Sequence, residues 1–166
     1  MNKSYPATAI TSFFRCGLFF LISFSVSIQA QDQIWIQSNL NNEWNLTAPN
    51  WDSGVVWINN NNAIFGGLGE TVELGGNLTV GNLTFNGNGY ILEDTNDDGT
   101  LTLSGPSTIT VTTDGHTATI REAIAQGSFI KAGAGTLALT GNNLFDGTVS
   151  VTAGRLSLGS WPAPEV

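Results

Sequence analysis

Residues 129–159 read F-I-K-A-G-A-G-T-L-A-L-T-G-N-N-L-F-D-G-T-V-S-V-T-A-G-R-L-S-L-G, a strand-turn unit that occurs nearly twice. Thr136–Gly141, Thr148–Thr152 and Arg155–Leu158 alternate apolar and polar residues with period two. In extended chain that period sends successive side chains to opposite faces. Leu137, Leu139, Val149, Val151, Leu156 and Leu158 can therefore share one interior, with Ala138, Ser150 and Ser157 facing outward. Glycine-rich turns separate the strands, and Gly141 and Gly154 are expected at corners.

The same rhythm extends upstream. Strands are expected at Thr71–Leu74, Leu78–Val80, Leu83–Phe85 and Tyr90–Leu92. Leu101/Leu103, Ile109/Val111 and Ala118/Ile120 continue the alternation. Arg121–Gln126 is the one segment where a helical turn is expected, too short for more than one or two turns. Three strands per coil give coils of roughly 20 residues, which suits a solenoid better than a sandwich. Asn86-Gly87-Asn88-Gly89 fits either a tight hairpin or the left-handed corners of a solenoid, so pattern alone leaves that choice open. Asn45, Asn77 and Asn82 head Asn-Leu-Thr patterns and are taken as turn residues.

The segment Lys131-Ala132-Gly133-Ala134-Gly135-Thr136-Leu137, then Leu139–Asn143, Gly147-Thr148-Val149, Ala153-Gly154 and Leu156–Gly159, resembles the autotransporter-associated β-strand repeat of bacterial secreted and surface proteins. Leu144-Phe145-Asp146 stands where the family has a small polar-aromatic group, and Arg155 where a Thr is more usual. The resemblance covers 31 of 166 residues. It implies a right-handed parallel β-helix passenger, exported and often held at the cell surface, and no catalytic residues. A small β-sandwich binding module is the alternative fold.

Residues 1–30 read as a signal peptide: Lys3 and Arg15 supply charge, the thirteen residues Cys16–Ile28 are apolar apart from Ser, and Ala30 suits cleavage. A cut near Ser27, or an uncleaved anchor, are the alternatives. From Gln31 onward, Arg121, Lys131 and Arg155 face thirteen carboxylates, a formal charge of −10. Such a surface repels phosphate backbones, which argues against nucleic-acid binding, and contact with a membrane is expected only through export or through a further C-terminal region. Cys16 is the only cysteine and lies in the export segment, so neither disulfide nor thiolate chemistry is expected of the mature chain. Residues 160–166, with Pro162 and Pro164, form a tail, and the sequence suits either a small free protein or the first piece of a longer one.

Residues 31–70 differ in composition. Trp35, Trp44, Trp51 and Trp57 fall within 23 residues, amid many Asn. Short strands are expected at Ile34–Ile36, Val55–Ile58 and Ala63–Phe65. An open solenoid end invites edge pairing, and indoles cover it well because each buries roughly 150–250 Å². The region is therefore expected to be a cap or first coil. The sharper alternative makes the four indoles a glycan platform, stacking on sugar faces while Asn side chains bond hydroxyls. Buried indoles favour the cap; two or more on one flat face favour glycan binding.

Candidate chemistry is sparse. Asp94, Asn96 and Asp98 have the one-three-five oxygen spacing of a calcium loop, with Gly99 at six and Leu101 at eight. Position twelve is Gly105 rather than a bidentate Glu, and no helix flanks the loop, so calcium is the one cofactor candidate and the competing expectation is an acidic turn. His116 is the only histidine, with Asp114 two residues away and no nucleophile elbow. Glu70 and Glu73 are three apart, and Asp97 and Asp98 adjacent, so extended backbone splits each pair. A β-helix lyase would need calcium carboxylates and a basic residue, for which Arg121 and Lys131 are the interior candidates; Lys131 belongs to the repeat signature and is assigned a structural role, which leaves Arg121 with Asp94 and Asp98 as the candidate site.

The sequence therefore points to an all-β protein of 31–70 as cap, 71–128 as solenoid coils and 129–159 as the repeat. The expected function is a non-enzymatic, secreted or surface-held structural or adhesive module whose partner is a cell-surface protein or glycan. A carbohydrate-binding module and a β-helix polysaccharide lyase or hydrolase are the alternatives.

Overall fold

The computed structural model describes residues 29–36, 41–125 and 127–159. The export segment, apart from Gln29 and Ala30, and the tail at 160–166 lie outside the described residues. The strands, in order, are β1 (Asp32–Ile34), β2 (Glu43–Trp44), β3 (Asn62–Phe65), β4 (Thr71–Leu74), β5 (Asn77–Val80), β6 (Leu83–Phe85), β7 (Tyr90–Glu93), β8 (Thr100–Leu103), β9 (Ser107–Val111), β10 (Thr117–Ile120), β11 (Phe129–Ala132), β12 (Thr136–Leu139), β13 (Val149–Val151) and β14 (Arg155–Leu158).

These strands stack as a parallel β-solenoid. One wall runs β1-β3-β6-β9-β11-β13 and a second runs β2-β4-β7-β10-β12-β14. β5 and β8 pair on a third side, where an isolated parallel bridge joins Leu101 to Ile124. Every pairing between these strands is parallel. The decisive pairs lie in the repeat. Thr136–Leu139 registers on Arg155–Leu158, whereas Val149–Val151 registers on Phe129–Lys131 in the other wall. An antiparallel meander, and with it the sandwich, is ruled out for these strands.

Alternation explains the core. Tyr90, Ala118, Leu137 and Leu156 form one inward column; Val72, Leu92, Ile120, Leu139 and Leu158 form the next. Leu78, Leu101 and Ile124 line the third side. In the first wall, Phe65 stacks on Phe85 with ring centroids 5.0 Å apart and planes 10° from parallel. Register partners there follow Ala63, Leu83, Ile109, Lys131 and Val151, so coils vary in length around the roughly 20 residues expected, with the excess placed in the corners.

The Asn residues have a specific task at those corners. A chain that turns leaves backbone N–H groups without a ladder partner, and these must be satisfied. Asn62 Oδ1 accepts from the Asn82 N–H at 2.9 Å, and Asn82 Oδ1 from Thr108 at 2.8 Å, each one coil further on. Asn59 accepts from Thr79, and Asn88 from Thr117, in the same manner. The Asn-Gly run at 86–89 is thus a solenoid corner: Gly89 has φ +86° and its N–H reaches Thr117 O.

Three local expectations change. Residues 121–125 are not helical; Ala125 N donates to Leu101 O at 3.0 Å, extending the third side. Of Val55–Ile58 only Val55 is bridged, antiparallel to Trp51, because Gln33 rather than a strand satisfies this segment. β11 was not expected, because Lys131 occupies an inward position and interrupts the apolar alternation.

Candidate functional site

The four indoles form one buried cluster. Trp35, Trp44, Trp51 and Trp57 are 0–3% exposed. Trp44 meets Trp51 and Trp57 edge-on at 5.1 and 5.0 Å, and Trp51 meets Trp35 at 5.2 Å. Phe65 continues the cluster into the first wall, 5.6 Å from Trp51. Trp35 Nε1 donates to Glu70 Oε1 at 2.5 Å and Trp57 Nε1 to Asn59 Oδ1 at 3.1 Å. These faces are turned to one another and to the core, so none of the four offers a flat face to a sugar ring. The cap is an aromatic plug at the N-terminal end of the stack.

Gln33 completes the plug and went unremarked in the sequence. Its side chain is buried; Nε2 donates to Val56 O at 3.0 Å, while Oε1 accepts from Ile58 N at 2.8 Å and Asn61 Nδ2 at 3.1 Å. One amide thereby replaces a ladder rung for the irregular segment 56–58. A polar residue at an inward position of β1 was the available signal.

The Asp94–Gly99 loop has its oxygens engaged locally. Asp94 Oδ1 accepts from the N–H groups of Asn96 (3.0 Å) and Asp97 (2.8 Å). Asp94 Oδ2 accepts from those of Asp98 (3.1 Å) and Gly99 (2.9 Å). Asp98 Oδ1 accepts from Gly76 N at 3.0 Å, tying the loop to the coil before it. Glu73 Oε1 accepts from Thr95 N and Thr95 Oγ1, both at 2.7 Å, and from Asn96 Nδ2 at 3.4 Å. Among the described residues, no group of three or more His, Cys, Asp or Glu is arranged to hold a metal ion.

Beside this loop runs a carboxylate column. Parallel register puts Glu43, Glu73 and Glu93 one above another on the second wall. Arg121, one coil on, closes it with an Nη1–Glu93 Oε2 contact of 2.6 Å. Glu122 follows, its carboxyl held above the ordinary value of 4.5 by burial; the Ala123 N–H opposes this, and the charges of Asp94 and Asp97 add to the rise. The column was invisible in the linear sequence, where its members lie 20 and 30 residues apart.

The remaining candidates do not converge. Asp114 Oδ1 accepts from the adjacent Gly115 N–H at 3.0 Å, and His116 Nδ1 is buried with no hydrogen-bond partner. Glu70 holds the Trp35 indole, and Glu73 holds the Asp94 loop. Lys131 is buried within the stack and donates to backbone carbonyls, not to a groove.

Residues 129–158 match the family model described as the passenger-associated-transport-repeat. This is the repeat family the sequence resembles. The chain is also similar to the adhesin BmaC autotransporter of Brucella suis biovar 1 (strain 1330), 48% identical over 99 residues, or 59% of this chain. Those residues span 3% of that adhesin's length. No solved structure matches.

Proposed function

We propose that this chain is an exported, non-enzymatic β-solenoid module of a bacterial surface or secreted protein, which acts as a stiff structural and adhesive segment. The observation that carries the proposal is the joint occurrence of an in-register parallel stack and a repeat shared with an autotransporter adhesin. In such a stack the interior holds side chains for stability alone, and recognition falls to the outer walls. The first wall presents Asn62, Thr84, Thr108, Thr110 and Ser150 outward, with the exposed Ile34 and Ile130 in the same rows, a mixed polar and apolar face suited to contact with a protein or glycan surface.

Two measurements test this reading. Surface proteolysis and fractionation of the producing bacterium should find the chain outside the cytoplasm, and a cytoplasmic pool alone would refute export. Purified chain carrying Trp161→Phe should then bind cell-surface protein or glycan with its indole fluorescence unchanged, because the remaining four indoles lie inside. Adhesion accompanied by a ligand-dependent fluorescence shift would instead favour the carbohydrate-binding module. Release of unsaturated or reducing sugar from a polysaccharide panel would favour the lyase or hydrolase.

A further inference from the structure

We propose that Lys131 is a latch for the coil that follows it, its ammonium fixing the corner at Ala153 and so holding β13 and β14 on the stack. Lys131 stands in the inward column between Ile109 below and Val151 above, and is completely buried. Its Nζ donates to Ala132 O at 2.7 Å, Gly133 O at 2.9 Å and Ala153 O at 3.2 Å. An ammonium has three donors and no acceptor, so its whole capacity is used. Two acceptors belong to its own corner. The third belongs to the next, 22 residues further along the chain.

The corners bridged in this way are nested without free space. Gly133 has φ +74°, and a Cβ there would lie 2.2 Å from Val111 O. Gly154 has φ +67°, and a Cβ there would lie 2.3 Å from Gly135 O and 2.5 Å from Gly133 O. Glycine at both places therefore lets backbone sit directly on backbone, and the ammonium ties the two layers through their carbonyls. The stem of Lys131 continues the aliphatic column while its head reaches the corner, as long amphipathic side chains do. Leucine or isoleucine would fill the column equally well but would leave the three carbonyls without this donor.

Among the described coils, the latch lies at the one with the least apolar burial. Val151 is 48% and Leu158 63% exposed, while Val149 and Leu156 are half-buried. The coils below have fully buried counterparts. This inference concerns how the stack is held, and stands whether or not the proposed adhesive function is correct.

Hydrogen exchange on the intact chain tests it. In Lys131→Met, which keeps the apolar stem, the amides of Thr152, Arg155 and Gly159 should exchange about tenfold faster or more, the change expected on losing a charged buried donor. These amides bond to Lys131 O, Gly135 O and Leu139 O across the last interface. The amides of Ile91 and Thr112, deeper in the stack, should keep their protection. In Lys131→Ala, n-propylammonium, the fragment removed, should restore protection of the last coil and sodium at equal ionic strength should not. Unchanged exchange in Lys131→Met, or faster exchange throughout the stack, overturns the latch. So does equal rescue by the two cations, or failure of both variants to fold even with n-propylammonium present.

Discussion

The two ends of the described stack follow one register rule and end in opposite states. At the N-terminal end, β1 and β2 are covered by four indoles packed at 4.7–5.2 Å and by Gln33, whose amide satisfies the backbone of the segment crossing over it. At the last described coil, β13 and β14 are paired on the stack in full register, yet Val151 and Leu158 remain about half or more exposed. The six aliphatic residues expected to share the interior do point along the same columns, and only Leu137 and Leu139 are fully buried. Alternation settles the direction of a side chain. Its burial needs a neighbouring layer along the stacking axis as well.

The largest effect should come from opening the covered end. Trp44→Ala removes an indole in contact with Trp51, Trp57 and Phe65, and should cost about 3–5 kcal/mol in urea unfolding, the range for large aromatic truncation in a core. A loss under about 1 kcal/mol would mean that the plug is not what seals the stack. Next comes a matched pair. Leu139 and Leu158 are register partners one coil apart. Leu139→Ala should cost about 2–5 kcal/mol, whereas Leu158→Ala should stay within about 1 kcal/mol because its side chain is already largely in water. Equal losses would break the comparison and show that another layer covers Leu158 in solution. Ser157→Ala, on the outer face, should stay within about 0.5 kcal/mol.

How much of this was legible follows the physics of each signal. The alternating strands from β4 to β10, and β12 to β14, could be read directly, because inward aliphatics at every second position leave little other choice. Parallel pairing in coils followed from the repeat and from spacing. β11 was hidden by Lys131: a buried lysine inverts the polarity that period-two reading relies on, and only its three carbonyl partners make sense of it. The Glu43–Glu73–Glu93–Arg121 column could not be read because it is a property of register between coils of unequal length. The burial of the indoles was expected, but the use of Gln33 as a side-chain rung was not: its inward place in β1 is a signal only once that strand and its phase are known. In the Asp94 loop, the calcium-like spacing is also the spacing of a turn in which one carboxylate collects four successive N–H groups.

Gln33 offers a middle-sized test of the covered end. Gln33→Ala removes two acceptor contacts and one donor contact, from the part-buried backbone of Val56 and Ile58 and from the buried Asn61. Leaving a buried group without a partner costs about 1–3 kcal/mol, and because water can reach Val56 and Ile58 the loss should fall near the lower end, about 1 kcal/mol. The loss should appear together with faster amide exchange at Ile58, whose N–H then lacks its acceptor. Gln33→Glu should also weaken the plug, because the Val56 carbonyl would face a carboxylate instead of a donor. If Ile58 stays protected in both variants, the amide is incidental and the indoles alone close that end.

The smallest effect concerns pH, and it separates the two ends from the middle of the stack. Cover by indoles and aliphatics carries no proton, but the Lys131 ammonium at the last coil does, and burial draws its pKa below 10.5, so the difference between the ends should be independent of pH only while Lys131 stays charged. In the acid range the pH dependence should map to Glu122, which follows β10 and feels the charges of Asp94 and Asp97. Its folded-state pKa is raised above 4.5, first by burial and, despite the Ala123 N–H, further by Asp94 and Asp97. A raised carboxyl pKa means that the folded state binds the proton more tightly than the unfolded chain does. That stabilisation is fully present below the unfolded value and is lost as pH rises through the folded one. At neutral pH the ionised Glu122 therefore works against folding. Glu122→Gln should raise the melting temperature slightly at neutral pH, and the gain should shrink as pH falls toward 4.5 and be absent below it. Asp97→Asn should act in the same direction and more weakly, since Asp97 contributes only part of the rise and its φ of +55° is one that Asn tolerates. A side-chain titration followed by NMR, alongside melting curves at several pH values, checks both. A gain that persists undiminished in acid would show that Glu122 acts through packing rather than through its charge.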